Sequence, residues 1–263
     1  MSVAFPSAAG GAARAKITAV TSGKGGVGKT FMSANVAAAL TRRGERVLVL
    51  DADLGLANLD VVLNLYPKLT LHDVFTGKAT LEEAILPAPG GFSVLLAGSG
   101  LIEYSCLTPE VRDQFLSVIQ KVAPRFDRVL LDTGAGISDV VLYAVSLADE
   151  VMVVATPEPT SLTDAYATIK VLASQQQRKL IKLVVNQTSR LGEGRVIRGQ
   201  LQQVVDRYVS NGTDTPLKLE LLGEVPTDPA VREAVQRRQL LLEAIPGCAA
   251  AKAVSAIAEK MVA

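Results

Sequence analysis

Short apolar runs alternate with segments of helical periodicity along most of the chain. The runs are KITAVTS, RVLVLDAD, FSVLLAG, RVLLDT, EVMVVA, KLIKLVVNQ and LELLGEV, and helix-like segments separate them. Runs with little polar alternation are typical of strands buried on both faces, and intervening helices indicate parallel strands joined by right-handed crossovers. The pattern therefore predicts an α/β fold: a doubly wound, mostly parallel sheet with helices on both faces.

The same pattern sets the domain organisation. Residues 1–15 are small, Ala/Gly-rich and outside the alternation, so they are predicted to form a flexible tail, while residues 16–263 are predicted to form a single domain. The last segment predicts a helix whose Val254, Ile257 and Met261 share one stripe. Because this helix has no aromatic residue and few lysines, we expect the stripe to pack on the domain rather than on lipid.

Composition and charge disfavour several classes of function, among them nucleic-acid binding, membrane spanning and metal-cluster delivery. Lys and Arg number 27 against 26 Asp and Glu, so there is no global positive field to hold nucleic acid. No apolar run approaches the roughly 18 residues of a membrane span, and the first residues lack the apolar core of a secretory signal, so a cytoplasmic protein is expected. The two cysteines, Cys106 and Cys248, form no CxxC pair, which disfavours a zinc site or metal-cluster delivery.

The stretch TSGKGGVGKT carries the most specific motif. It satisfies G-x-x-x-x-G-K-[ST] between an apolar strand and a helix, the context that a phosphate-binding loop requires; a glycine turn with a chance lysine is the alternative. Glycines let successive backbone N–H groups face phosphate oxygens, and the helix N-terminus adds positive potential. Lys29 is predicted to reach the β- and γ-phosphates, and Thr30 to ligate Mg²⁺. The predicted nucleotide-binding residues of this loop are Gly23, Gly25, Gly26, Val27, Gly28, Lys29 and Thr30.

Acidic residues follow two further strands. Asp132 ends the strand of VLLDTGAG and is predicted to hold Mg²⁺ through water, with Gly134 and Gly136 as candidates for a nucleotide-sensing switch. In DADLGLANLD, Asp51 and Asp53 are separated by one residue and therefore face the same side of an extended strand end. Asp53 is predicted to orient or deprotonate the attacking water, and Asp51 to belong to the magnesium shell. The alternatives are a plain strand-to-helix turn and a pair of solvated carboxylates.

The glycine-rich loop contains a second lysine, Lys24, near its start. We expect its side chain to be unable to return to its own γ-phosphate and to reach the nucleotide of another subunit instead. A cation supplied in trans stabilises charge in the transition state of phosphoryl transfer. The predicted catalytic residues are thus Lys24, Lys29 and Asp53, in an ATPase that forms a homodimer with ATP.

With its early lysine, KGGVGKT resembles the deviant Walker A loop of the MinD/ParA superfamily. Within that superfamily, DADLGLANLDVVLNL, DTGAGI and EPTSLTDAYATIKVL most resemble the FlhG (FleN) family of flagellar-number regulators, and the resemblance covers roughly Lys16 to Lys260. It implies a slow, Mg²⁺-dependent ATPase used as a switch. It also implies that Asn186 hydrogen-bonds the adenine and that Pro226 to Asp228 lie against the base, although a strand-end Asn could also cap a turn.

The resemblance also implies partners: the FlhF GTPase, flagellar C-ring switch proteins and a flagellar transcriptional activator. No stable nucleic-acid complex is expected, and any membrane contact is expected to be weak, at the inner membrane or the cell pole. Two alternatives stay open, namely division-site placement as in MinD and ParA-like partition with nonspecific DNA binding. The arginines of RLGEGRVIRGQ and VREAVQRRQ have acids interleaved, which favours solvated helix faces over DNA contact.

Overall fold

The computed structural model describes residues 14–55, 58–98, 107–210 and 216–262. The predicted flexible tail lies outside the described residues except for Arg14 and Ala15, and Cys106 also lies outside them. Arg14 pairs with Asp149, and the backbone N–H of the buried Ala15 donates to the Ala123 carbonyl at 2.7 Å. Contacts with the domain thus begin two residues before the predicted boundary.

In the described part of the chain, eight strands form one central sheet. They are β1 (Lys16–Ser22), β2 (Val47–Ala52), β3 (Ile85–Pro87), β4 (Ser93–Leu95), β5 (Arg128–Ala135), β6 (Glu150–Ala155), β7 (Leu180–Thr188) and β8 (Lys218–Pro226). Their order across the sheet is β3-β4-β2-β5-β1-β6-β7-β8. Every neighbouring pair is parallel except β3 with β4, which confirms the predicted mostly parallel sheet.

The edge strand β3 is an element that the sequence pattern does not predict. It has three residues, too few to establish a periodicity, and it follows a short helix directly. Its last residue is Pro87, which lacks a backbone N–H and is therefore tolerated at the edge of a sheet rather than in its middle.

Helices flank the sheet on both faces, as predicted. They are α1 (Lys29–Thr41), α2 (Leu59–Leu63), α3 (Leu71–Phe75), α4 (Leu81–Ala84), α5 (Pro109–Val122), α6 (Asp139–Ser146), α7 (Pro159–Gln176), α8 (Glu193–Tyr208), α9 (Pro229–Gln236), α10 (Leu241–Ala244) and α11 (Ala249–Val262). The side chains of Thr108, Ser138 and Asp228 each accept a backbone N–H from the first turn of the helix that follows. Such caps satisfy N–H groups that have no partner inside the helix and so fix where it begins.

Two apolar cores lie on the two faces of the sheet. Alternate residues of β2 enter different cores: Leu48 and Leu50 pack with residues of α5 to α8, whereas Val47 and Val49 pack with residues of α1 and α11. Because both faces of the strand are covered, it has no solvent-facing side that would need polar residues. This burial explains the unbroken apolar runs from which the strands are predicted.

The C-terminal helix α11 packs on the domain through the predicted stripe. Val254, Ile257 and Met261 are 0%, 1% and 3% exposed and belong to the core that contains α1, which confirms the prediction. The contact with β8 is close, since a Cβ added to Gly223 would lie 2.5 Å from Ile257 Cγ1. None of the helices described here is long and apolar enough to cross a bilayer.

Shortening Ile257 tests this packing. Ile257→Ala should lower the free energy of unfolding by about 2 to 5 kcal/mol, because it removes buried methyl groups and leaves a cavity between α11 and β8. Val262→Ala is the matched control on the same helix, and since Val262 is 48% exposed its effect should stay within about 0.5 kcal/mol. Urea unfolding measures both; equal small effects would show that α11 is not part of the core.

Candidate functional site

The glycine-rich loop connects the end of β1 to the start of α1, as the sequence predicts. Gly28 has a φ of 97°, in the left-handed region that side chains other than glycine rarely adopt. Position 23 has room only for glycine, because a Cβ there would lie 2.2 Å from the backbone oxygen of Asp164 on α7. The loop is therefore shaped by its own glycines and packed directly against α7.

A cavity of about 660 Å³ lies beside the loop, where the carboxyl ends of β1, β2 and β5 meet. Most of the predicted phosphate-binding and catalytic residues line it, namely Gly25, Gly26, Gly28, Lys29, Thr30 and Asp53, together with the predicted switch residue Gly134. Asp51 and Asp132 face each other in register on the adjacent strands β2 and β5, and both are buried. The position agrees with the general rule that ligands of open α/β sheets bind beyond the carboxyl ends of the strands.

Lys29 is buried at the start of α1. Its Nζ donates to Ser22 Oγ at 3.0 Å, and that hydroxyl donates to the Lys24 carbonyl at 2.7 Å. Burial lowers the pKa of Lys29, while the nearby Asp132 and Asp53 act to raise it. The ammonium is thus held at the cavity among carboxylates.

The three aspartates occupy different environments. Asp132 Oδ1 accepts a hydrogen bond from Ser33 Oγ at 2.9 Å, and Asp51 Oδ1 accepts the backbone N–H of Asp53 at 3.1 Å. Asp53 itself is only partly buried and lies against Gly134, where an added Cβ would be 3.3 Å from Asp53 Oδ1. Asp53 therefore faces the cavity, whereas the other two carboxylates are fixed beneath it.

Burial raises the pKa of both inner carboxyls. It raises the pKa of Asp132 to about 6, although hydrogen bonds from Thr30 and Ser33 act in the opposite direction. Burial, followed by the charge of Asp132, raises the pKa of Asp51 well above its usual range. The ionised forms of Asp51 and Asp132 are therefore unfavourable even with Lys29 as a nearby cation. A bound metal cation would stabilise these ionised carboxylates.

The residues present fit a magnesium ion that is shared with a phosphate chain. Within the described ranges, Asp51 Oδ2 is a buried oxygen that accepts no hydrogen bond of ordinary geometry, although a backbone interaction with Leu59 acts to lower the Asp51 pKa. The carboxylates of Asp51 and Asp132 and the hydroxyl of Thr30 are oxygen ligands of the type that Mg²⁺ prefers. No three His, Cys, Asp or Glu side chains of the described residues converge on a metal position. Mg²⁺ usually keeps several waters and takes further ligands from substrate phosphates.

Lys24 is bound within its own chain and is not part of the cavity lining. Its Nζ donates to Glu158 Oε2 at 2.7 Å and to Thr160 Oγ1 at 3.0 Å, at the start of α7. The Lys24 and Glu158 side chains are 37% and 61% exposed, so water screens this ion pair. The separation of Lys24 from the cavity agrees with the idea that it serves another subunit, which stays a prediction.

Asn186 lies beside the glycine-rich loop at the end of β7. Its Nδ2 donates to the Val27 carbonyl at 2.8 Å, and its Oδ1 accepts the backbone N–H of Gln187 at 2.9 Å. The side chain is buried. The predicted contact of Asn186 with adenine stays a prediction.

The predicted base-contacting loop follows β8. Pro226 is the last residue of β8, and the Asp228 carboxylate accepts the N–H of Ala230 at 3.0 Å and that of Ala250 at 3.2 Å. Backbone hydrogen bonds lower the pKa of Asp228. Asp228 thus joins the starts of α9 and α11, and its contact with a base stays a prediction.

The sequence pattern does not predict the contacts of four further side chains, which are Ser22, Ser33, Glu158 and Thr160. Ser33 lies four residues after Lys29 on α1, so helical spacing could have placed both on one face. For Glu158 no sequence signal was available, since it is 134 residues from Lys24.

The chain is similar to known proteins over nearly its whole length. The ParA family model, described as NUBPL iron-transfer P-loop NTPase, matches residues 13–262. The chain is 40% identical over 246 residues to the antiactivator FleN of Pseudomonas aeruginosa, covering 94% of this chain and 86% of that protein. It is 32% identical over 249 residues to the flagellum site-determining protein YlxH of Helicobacter pylori, covering 94% and 82%.

A solved structure extends the similarity to three dimensions. The septum site-determining protein MinD from Pyrococcus horikoshii, complexed with Mg-ADP, matches with a TM-score of 0.73 and 27% sequence identity. The match covers 94% of this chain and 96% of that one. Since the family model spans nearly the whole sequence and the phosphate-binding loop stands at the expected strand end, the chain belongs to the ParA family of P-loop NTPases.

Proposed function

We propose that this protein is an ATP-dependent dimerising switch that regulates the number and placement of bacterial flagella. The observation that carries the proposal is the 40% identity to FleN over 94% of the chain. The similarity to YlxH, whose name also refers to the flagellum, supports the same assignment. The iron transfer named in the family description would need a cluster site, and the sequence has two cysteines and no CxxC.

The chemistry assigned to this chain is ATP hydrolysis with Mg²⁺. Backbone N–H groups of the glycine-rich loop and the Lys29 ammonium bind the phosphates, and Thr30, Asp51 and Asp132 hold the metal site. When bound, Mg²⁺ supplies charge stabilisation for phosphoryl transfer. Asp53, the carboxylate that faces the cavity, orients or deprotonates the attacking water.

Two contacts are suited to transmit the nucleotide state. The Asp53 carboxylate lies against Gly134, and the backbone N–H of Gly136 donates to the Ser22 carbonyl at 2.8 Å. The end of β5 and the residue that follows it therefore contact both the proposed water-activating group and the strand that precedes the glycine-rich loop. A change at the γ-phosphate would move this segment and bias the surface around it.

Dimerisation is proposed to use Lys24. Its exposed ion pair with Glu158 contributes about 0 to 1 kcal/mol, as is typical of exposed pairs, so a phosphate of a second subunit can replace it. In the dimer each subunit would complete the other's catalytic site, which couples ATP binding to association.

The partners proposed for the dimer are FlhF, flagellar C-ring switch proteins and a flagellar transcriptional activator. Peripheral attachment at the inner membrane or cell pole belongs to the same proposal. MinD-like division-site placement and ParA-like partition on DNA use the same catalytic residues, so only a cellular experiment separates them from flagellar control.

The buried carboxylates predict an unusual pH dependence of stability. Asp132 has a pKa of about 6 in the folded chain against 3.8 as the ordinary value, so between about pH 4 and pH 6 the folded state binds more protons than the unfolded state. The free energy of unfolding of the nucleotide-free protein should therefore fall as the pH rises through this window. Asp132→Asn should remove this contribution and raise stability at pH 7.5 by about 1 to 3 kcal/mol.

Urea unfolding without Mg²⁺ or nucleotide measures this effect. Asp127→Asn is the control, since the pKa of Asp127 is instead lowered to about 2 by Arg46, and its replacement should not stabilise the protein at pH 7.5. An Asp132→Asn variant less stable than wild type at pH 7.5 would contradict the account, because the ionised carboxylate would then be net stabilising.

Deleting the gene in its own bacterium tests the cellular function. Cells should carry more flagella than wild type, counted by electron microscopy, and wild-type protein supplied in trans should restore the normal number. Lys29→Ala should not restore it, since that variant lacks the phosphate-binding ammonium. Unchanged flagella together with misplaced septa or lost replicons would contradict the proposal and favour its division or partition relatives.

A further inference from the structure

Asn186 makes a contact that a base-binding residue does not need. Its Nδ2 donates to the carbonyl of Val27, 159 residues earlier, in the middle of the glycine-rich loop. We propose that Asn186 is a positioning residue for the phosphates: it ties the glycine-rich loop to the end of β7 and holds it in its phosphate-binding shape whether or not a base is present. The proposal rests on nucleotide binding at this site as set out under the proposed function.

The tether fixes a backbone N–H as well as a carbonyl. In a trans peptide the carbonyl of one residue and the N–H of the next point in opposite directions. Holding the Val27 carbonyl on Asn186 therefore turns the Gly28 N–H to the opposite side of that peptide. Gly28 lines the cavity that contains Lys29 and Thr30. The tether thus fixes the orientation of one of the loop's phosphate-binding N–H groups.

This loop needs an external restraint. Gly25, Gly26 and Gly28 give it a wide range of backbone conformations, and the Gly28 φ of 97° is one of them. The Val27 side chain is buried in the core that contains α1, which anchors one side of the residue. The bond to Asn186 anchors its carbonyl, so both ends of the residue are held before any ligand binds. Such preorganisation lowers the entropy that binding must remove.

The fit between the two partners is close. A Cβ at Gly28 would lie 2.4 Å from Asn186 Nδ2, so only glycine leaves room for the amide. The amide is itself oriented, because its oxygen accepts the N–H of Gln187, a residue with a φ of 59° at a register shift of β7. A primary amide offers two N–H donors and two lone pairs, so one of each remains for a base. Tethering and adenine contact are therefore compatible.

A ligand without a base distinguishes the two roles. Mg-tripolyphosphate and Mg-ATP would each be titrated against the full-length protein carrying a fluorescent ATP analogue, and their dissociation constants obtained by displacement. Asn186→Ala should weaken tripolyphosphate about tenfold, the effect of losing one hydrogen bond. Gln187→Ala is the matched control: it removes the neighbouring amide but keeps the tether, and its tripolyphosphate affinity should be unchanged.

Two further measurements separate positioning from a loss of fold. Hydrogen exchange of the nucleotide-free Asn186→Ala variant should accelerate in peptides that span residues 23–30 and stay unchanged in those from β2 and α5. If Asn186→Ala does not fold, Asn186→Ser serves instead, since its shorter side chain also leaves the Val27 carbonyl without the amide donor.

The outcomes are distinct. Weaker tripolyphosphate binding with faster exchange in the loop supports the tether. Weaker ATP binding with unchanged tripolyphosphate binding overturns it and leaves Asn186 as a base contact alone. A wild-type protein that binds neither ligand overturns the nucleotide-binding function itself, and the tether with it.

Discussion

Three aspartates and one buried lysine meet at the carboxyl ends of adjacent strands, and their mutual repulsion and attraction constrain the rest of the site. Helices cover both faces of the parallel sheet, so polar side chains of the strands can meet a ligand at the carboxyl ends of the strands. Here the pKa of Asp132 rises to about 6 and that of Lys29 falls, both because burial disfavours charge. The folded chain thus holds groups that are individually unfavourable, and a magnesium–nucleotide complex supplies the missing charges. The free energy of ligand binding and the free energy of unfolding therefore both depend on the charges of this cluster.

The loop beside this cluster is held from several directions. Gly23 packs against the Asp164 carbonyl of α7, Ser22 accepts a hydrogen bond from the chain after β5, and Val27 is bonded to the end of β7. Elements that are far apart in sequence therefore meet at the phosphate-binding backbone. A switch needs such an arrangement, because a small displacement at the phosphates can then shift α7 and the segment after β5 through these contacts.

What the sequence predicts well is local. The strands follow from unbroken apolar runs, and the spacing of GKGGVGKT together with its place between strand and helix predicts the loop that the structure contains. Asp51 and Asp132 are each predicted near a strand end, and the structure pairs them in register on β2 and β5, although β5 continues to Ala135 and so does not end at Asp132 as predicted. By contrast, β3 has no periodicity to detect, and the partners of Lys24 and Asn186 are 134 and 159 residues away. No pattern in one sequence encodes such pairings, since they depend on which strand ends the fold places side by side.

Lys24 is proposed to join two copies of the chain when ATP is bound, and the mass of the resulting complex is the measurement to make first. Asp53→Ala should retain ATP, because the carboxylate proposed to activate the attacking water is lost while the glycine-rich loop is intact. Light scattering should then give a dimer for Asp53→Ala in Mg-ATP and a monomer in Mg-ADP, whereas the double variant Asp53→Ala, Lys24→Ala should stay monomeric in both. A monomeric Asp53→Ala in Mg-ATP, or a double variant that dimerises equally well, would contradict the account.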